Sequence, residues 1–322
     1  MSGDVDGGLR VWSLEGRNCV NSGLGEAHDH SVLSVSRVRR GGEGFASCSR
    51  DGTVKVWDAE TCSTGVPVTV LQTQARCFCN ASTSDADVGD ENLVLTGGAE
   101  ESAVLLWDLR SARAAVSTVN MAAERGMVTS LLLQSAAAAT ADAESWSAAL
   151  VGCDDGSLTC IDWRQGRAVS NIKLHEEESG PQPVFAIAAY SRQGGSSLQL
   201  LTGGGDCKLR RSSLTVHSLE TRALQLVAET EAGSTASLPA VGTSCISVRC
   251  DGRIAASAHW DNTIRLHDLK RLRPLAVLRH HKESAFAVAF GVRGSPSQSL
   301  FASAGKDGLV SVWDLYADKM KD

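Results

Sequence analysis

Two stretches of this 322-residue chain place a histidine, a serine, an aspartate and a tryptophan at nearly the same spacing. The first set is His28, Ser47, Asp51 and Trp57; the second is His281, Ser303, Asp307 and Trp313. A histidine, a hydroxyl and a carboxylate together describe the nucleophile, base and orienting acid of a hydrolase. The same types also suit a closed polar network: a carboxylate that only accepts, an imidazole that donates to it, a bridging hydroxyl and an indole N–H as the last donor. The sequence favours the second chemistry. Each serine falls inside a strand pattern, and no G-x-S-x-G elbow exists to expose it. No G-x-x-x-x-G-K-S or G-x-G-x-x-G run offers a phosphate cradle, and Gly203-Gly204-Gly205 reads as a turn. Such a network works only when complete, because buried polar atoms are costly unless paired.

The elements that carry these residues recur. TVKVWDAE at 53–60 returns as LRVWSLE, AVLLWDLR, SLTCIDWR, SLTVHSLE, TIRLHDLK and LVSVWDLY. The tryptophan position is filled by Trp12, Trp57, Trp107, Ile161, His217, His267 and Trp313, at spacings of 45–56 residues. That period with a Trp-Asp signature predicts an all-β, seven-bladed β-propeller of four-stranded blades, each leaning on its neighbours for burial. The expected blades are 1–25 (partial), 31–72, 75–121, 127–175, 183–230, 242–281 and 284–316, forming a single domain. Blade 1 is incomplete, lacking its first strand and most of its second, and blade 7 lacks its outer strand. A chain missing roughly 50 residues, one repeat period, explains both gaps. A genuinely open ring, with its unpaired edges, is the alternative.

The repeat decays in the middle. Blade 1 keeps Ser2, Asp6 and Trp12; Glu101 replaces the turn aspartate of blade 3; Ile161, His217 and His267 replace the tryptophan. Residues 135–147 read as a surface loop. DCKLRRSS at 206–213 reads as a lengthened turn in blade 5 with Arg210 and Arg211 at its tip, a solvated pair or a partner contact.

The composition excludes several functions. A net charge of −6 without a Lys/Arg block gives no footprint for nucleic acid. No stretch is apolar for the 18 or so residues of a membrane span, and MSGDVDGGLR is not a signal peptide. Four of the ten cysteines, Cys48, Cys153, Cys160 and Cys245, fall on core strands as small apolar residues, which suits a reducing compartment, the nucleus or cytoplasm. Cys77 and Cys79 face one side of a predicted strand, CFCNAS, but lack the second pair or histidine that a metal site needs. The pairs His28/His30 and His280/His281 sit where the repeat calls for one structural histidine. No cofactor and no metal is expected.

The chain resembles the WD-repeat family, and within it the G-protein β-subunit-like proteins, whose fungal relatives are the ASTRA-associated WD-repeat proteins. The residues that carry the resemblance are ALVGCDDGSLTCIDW at 149–163, LHEEES at 174–179 and SAHWDNTIRLHDLKRLRPLAVLRHH at 257–281, with Trp260 in the most specific stretch. The resemblance implies a non-catalytic scaffold, a monomer within a larger complex. Its partners would be the co-chaperone subunits that mature phosphatidylinositol-3-kinase-related kinases, those kinases themselves, and a chromatin-linked complex. The chain departs from the family pattern in five extra residues after His175-Glu176-Glu177 and in the missing N-terminal half-blade. No heptad segment precedes residue 9, so pairing with a γ subunit is not expected. Leu106-Trp107-Asp108-Leu109-Arg110 also resembles the WDxR box by which substrate receptors dock on the adaptor of a cullin-RING ubiquitin ligase, and Arg164 ends a weaker copy. A WD-repeat scaffold with other partners is the general alternative. A propeller enzyme lacks any nucleophile–base pair outside the two networks.

Overall fold

The computed structural model describes residues 1–13, 18–39, 42–84, 92–111, 113–136, 146–163, 165–191, 198–206, 208–216, 224–232, 241–291 and 299–315. Among the described residues, seven antiparallel sheets of three or four strands follow one another along the chain, with a two-stranded hairpin, Glu176–Glu177 with Gly180–Pro181, between the fourth and fifth, and three short 3-10 turns. The chain forms two compact units: Met1–Asp154 with Thr159–Asn171, and Asp155–Leu158 with Ile172–Asp322.

The first unit holds three sheets and most of a fourth. The first sheet has three strands, Ser2–Gly3, Leu9–Ser13 and Asn18–Leu24. The second runs Val32–Arg39, Glu43–Ser49, Thr53–Asp58 and Thr69–Gln72 in meander order. The third runs Ser82–Thr83, Leu93–Gly97, Ala103–Asp108 and Ser117–Asn120. The fourth runs Val128–Ala136, Trp146–Cys153, Ser157–Asp162 and Arg167–Lys173. Its first two strands pair out to Ala136↔Trp146, so the ends of the expected 135–147 loop are ladder; residues 137–145 lie outside the described residues.

In the second unit, the fifth sheet runs Val184–Ser191, Leu198–Gly204, Leu209–Val216 and Leu224–Ala232. The sixth runs Thr243–Val248, Ile254–His259, Thr263–Asp268 and Arg273–Arg279, and the seventh has three strands, Ala285–Phe290, Leu300–Gly305 and Val310–Asp314.

Both faces of a middle strand are covered. All six residues of Ser157–Asp162 are buried, as expected where sheets pack on each side. Apolar residues of neighbouring sheets share clusters: Val104 and Leu106 meet Leu131, Leu133 and Val151, and Ala256 and Ile264 meet Val288 and Phe301. The tight turn between second and third strands uses a residue with positive φ, Gly52, Gly156, Asn262 and Gly308, as does Gly7 between the first two strands of the first sheet, at 63–88°. Glycine meets that demand without strain and asparagine tolerates it. At Gly156 a side chain would also strike the His175 carbonyl.

A bulge near the start of the first strand recurs in the second, fourth, fifth, sixth and seventh sheets. It adds one residue and turns the strand end locally.

Candidate functional site

The second sheet shows how the polar set assembles. Asp51 opens the turn, and its Oδ1 accepts the Thr53 backbone N–H at 2.8 Å and the Thr53 hydroxyl at 2.6 Å. Its other oxygen lies 2.9 Å from His28 Nδ1. A carboxylate only accepts, so Nδ1 carries the proton and Nε2 is left as an acceptor. The Ser47 hydroxyl, 2.7 Å from Nε2, donates to it and in turn accepts the Trp57 indole N–H at 2.9 Å. The relay runs one way, from indole to hydroxyl to imidazole to carboxylate. His28, Ser47 and Trp57 are 3%, 0% and 1% exposed. Burial lowers the His28 pKa in spite of Asp51, and this keeps the imidazole neutral as the relay requires. Asp51 is pulled below the usual carboxylate range: burial opposes this, and the hydrogen bonds from Thr53 and His28 outweigh it.

The seventh sheet repeats the arrangement. His281 Nδ1 lies 3.1 Å from Asp307 Oδ1, Ser303 bonds His281 Nε2 at 2.8 Å, and the Trp313 indole donates to Ser303 at 2.9 Å. His280, the neighbour in the histidine pair, is exposed and packs edge-on to Trp313 at 5.7 Å.

The other sheets keep parts of the set or rebuild it. In the third, Trp107 donates to Thr96 at 2.9 Å. In the first, Trp12 donates to Ser2 at 2.9 Å, but the turn carboxylate is Asp4 and not Asp6. Asp4 Oδ1 accepts the backbone N–H of Gly8 at 2.7 Å, and Asp6 is exposed. In the fourth, Val151 and Ile161 share the core cluster, so hydroxyl and indole are replaced together by apolar groups.

The fifth sheet corrects the sequence register. Thr202 pairs with Arg210 and Leu200 with Ser212, as Ser47 pairs with Lys55 and Phe45 with Trp57. The equivalent of Trp57 is therefore Ser212; His217 lies outside the described residues. Residues 209–213 of the expected lengthened turn belong to a strand, and Arg210 is buried and not at a solvated tip. It forms an ion pair with Asp206, whose Oδ1 is 2.9 Å from His175 Nδ1, while His175 Nε2 meets Thr202 Oγ1 at 3.0 Å. Arg211 bonds the Leu269 carbonyl at 3.1 Å. The sixth sheet supplies its own histidine. Ser257 and His259 lie on one strand with Oγ and Nε2 2.8 Å apart, and Arg265 reaches Asp261 at 2.7 Å. A sequence signal existed for both rebuilt sites: an arginine four residues after the turn aspartate, where the second sheet has Lys55.

The buried neutral histidines fix a pH response. Burial, and then the Arg265 charge, lower His259 from 6.5 to about 3 and His267 from 6.5 to about 4. The folded chain thus refuses protons that the unfolded chain binds below pH 6.5, so stability falls as pH falls through that window. We expect the urea midpoint to drop between pH 6.5 and pH 4, before most carboxylates titrate. A flat midpoint there would contradict the burial of these two imidazoles.

Of the residues proposed from sequence for partner contact, Arg110 belongs to the first unit and Trp260 to the second. Arg110 Nη2 pairs with Asp108 Oδ2 at 2.6 Å and its side chain is exposed. Trp260 is 40% exposed, tilted against Phe185 at 5.4 Å, and covers Gly242 so closely that no side chain fits there. Arg164 lies outside the described residues. Among the described residues no three His, Cys, Asp or Glu side chains converge as a metal site would require.

The family described as "WD domain, G-beta repeat" matches residues 18–58, 235–268 and 272–314. Over 319 residues the chain is 27% identical to guanine nucleotide-binding protein subunit beta-like protein 1 of Mus musculus, covering 98% of this chain and 87% of that protein. Over 75 residues it is 37% identical to ASTRA-associated protein 1 of Schizosaccharomyces japonicus, covering 23% of this chain and 20% of that protein. Among solved structures, the β-propeller domain of Cps50 (Swd1) from Myceliophteria thermophila superposes with a TM-score of 0.72 at 18% identity, covering 98% of this chain and 93% of that one. A chain of the mitotic checkpoint complex gives 0.68 at 16% identity, covering 97% and 83%. Identities this low carry the fold alone.

Proposed function

We propose that this chain, a WD40-repeat protein of seven-bladed β-propeller fold, is a non-catalytic scaffold for other proteins. The observation that carries the reading is the state of the two serines in the hydrolase-like sets. Ser47 and Ser303 are buried, each donates its hydroxyl proton to a histidine, and each accepts an indole N–H. A nucleophile needs an open face toward its substrate. These hydroxyls have none, so their chemistry is spent on holding the sheets together, and specificity is left to loops and exposed side chains.

The similarity to the ASTRA-associated proteins supports a narrower reading. The chain serves the co-chaperone assembly that matures phosphatidylinositol-3-kinase-related kinases, in the nucleus and cytoplasm, as a monomer within a larger complex. The matched stretch spans only 20% of the Schizosaccharomyces japonicus relative. Affinity capture of the tagged full chain from cells should recover co-chaperone subunits together with kinases of this class. Capture of neither rejects the narrower reading.

The exposed Asp108–Arg110 fork favours a second reading, a substrate receptor of a cullin-RING ubiquitin ligase. Arg110→Ala would then reduce adaptor binding at least tenfold, the loss expected for a charged group central to an interface. It would leave the fold intact, because an exposed ion pair is worth about 0–1 kcal/mol. Adaptor binding that is absent or unchanged in the variant removes this reading.

A further inference from the structure

Cys77-Phe78-Cys79 lies just ahead of the first strand of the third sheet. Only Ser82 and Thr83 of that strand pair with Leu93–Gly97, whereas the corresponding strands of the second, fourth and fifth sheets run eight or nine residues. Residues 77–81 lie outside any ladder and are held from their far end by side chains. Ser34 Oγ accepts the Ala81 N–H at 3.0 Å, and the Asn80 amide exchanges two 2.8 Å hydrogen bonds with the Leu131 backbone. Alternation still points both cysteines inward and Phe78 outward, 56% exposed under the Arg50 guanidinium. The two sulfurs are 3.2 Å apart. Facing them is Gly97, where any side-chain carbon would overlap both sulfurs. The fold thus clears a space for two thiols in contact.

We propose that Cys77 and Cys79 are a reversible redox pair, closed to an intrachain disulfide by a hydroperoxide, with Cys77 as the attacking sulfur. Both sulfurs are buried, Cys77 4% and Cys79 2% exposed, so a peroxide reaches them when residues 77–81, which no ladder holds, open locally. The Cys77 thiolate then attacks one peroxide oxygen, the O–O bond breaks, and hydroxide leaves, making Cys77 a sulfenic acid. The Cys79 sulfur then attacks the Cys77 sulfur and expels that oxygen as hydroxide, which the proton released from Cys79 converts to water. Two electrons pass from the dithiol to the peroxide, which ends as water, and a dithiol reductant reverses the change by exchange. The sulfurs must close from 3.2 Å to about 2.05 Å, a small step for a segment outside the ladder. The order of attack follows from the surroundings. The Cys79 thiol donates to Cys77 and brings it down to about 7, while that same bond and burial push Cys79 up. Burial raises Cys48 and Cys160 to about 12. Closing the pair turns the peptide of Phe78, so the oxidation state would be read at the exposed Phe78–Arg50 contact.

The test uses the full chain, reduced with a phosphine, desalted, and treated with hydrogen peroxide at neutral pH before alkylation. Trypsin releases residues 77–110 as one peptide holding both thiols. We expect that peptide to become lighter by two hydrogens, to resist alkylation until re-reduced, and to form at least tenfold faster than Cys48 or Cys160 is modified, following thiolate content. Cys79→Ser should stop at a sulfenic acid on Cys77 that dimedone traps. Because that variant removes a buried thiol, the native chain in urea is the second control. Equal rates for the pair in folded and urea-unfolded chain would overturn the proposal. So would alkylation of both thiols after the other cysteines have reacted. Protection of the pair by stoichiometric zinc ion added alone would replace it with a metal site.

Discussion

Replacing Trp57 with alanine lowers the unfolding free energy by about 3–5 kcal/mol, the range for a large buried aromatic. The ring is 1% exposed and stacked on Phe45 at 6.0 Å with 13° between planes, so alanine leaves a cavity between two rigid strands. It also leaves the Ser47 hydroxyl without its donor at a buried site. Trp57→Phe separates the two losses: it keeps most of the ring and removes only the N–H, which should cost about 1–2 kcal/mol as one unmet buried hydrogen bond. Ser47→Ala should fall in the same range, since it breaks the relay at the next link. Trp12, half-buried with an indole bonded to Ser2, should cost less than Trp57 on truncation. Urea unfolding of the four variants gives the order directly. A loss below 1 kcal/mol for Trp57→Ala would mean that the relay does not hold the second sheet together.

How much of this was legible in the sequence depends on what each sheet kept. Where a tryptophan survives in the third strand, as at Trp57, Trp107 and Trp313, its period locates the sheet and its strands, and at Trp57 and Trp313 the Asp-Gly turn before it does so as well. In the fifth sheet the tryptophan is gone, and SLTVHSLE at 213–220 mimics the motif five residues too late. The deciding feature there was electrostatic: Asp206 and Arg210 stand four apart, as Asp51 and Lys55 do, and a buried carboxylate needs that cation when no indole completes the set. The histidine of the sixth sheet was hidden for another reason. His259 reaches Ser257 from two residues along the same strand, a route that strand alternation permits and repeat spacing does not indicate. In the third sheet, alternation correctly turned Cys77 and Cys79 to one side. It could not show that the ladder would cover only Ser82 and Thr83, because pairing depends on the partner strand as well as on the pattern.

Asp206→Ala should be the most damaging change in the second unit, costing about 3–5 kcal/mol, the penalty for leaving one partner of a buried ion pair alone. The Asp206 and Arg210 side chains are 1% and 5% exposed, and His175 is fully buried. Burial alone would raise the Asp206 carboxyl; the hydrogen bonds it accepts from His175, Arg210 and the Lys208 backbone outweigh it and hold it at about 2. Without the carboxylate, Arg210 keeps an ion pair with Glu177, 3.7 Å away and half-buried. An arginine at a solvated turn would behave differently: substitutions around it would stay within about 0.5 kcal/mol. The double variant Asp206→Leu with Arg210→Met sharpens the test. It removes both charges together, so it should recover most of the loss if the damage comes from a stranded cation. The acid limb gives an independent measure. Since the folded carboxyl is depressed below its ordinary 3.8, its contribution is complete above that pH and disappears as pH falls toward 2. The native chain should therefore lose more stability than Asp206→Ala over that interval. Parallel curves would show that Asp206 and Arg210 are not the closed pair that joins His175 to the fifth sheet.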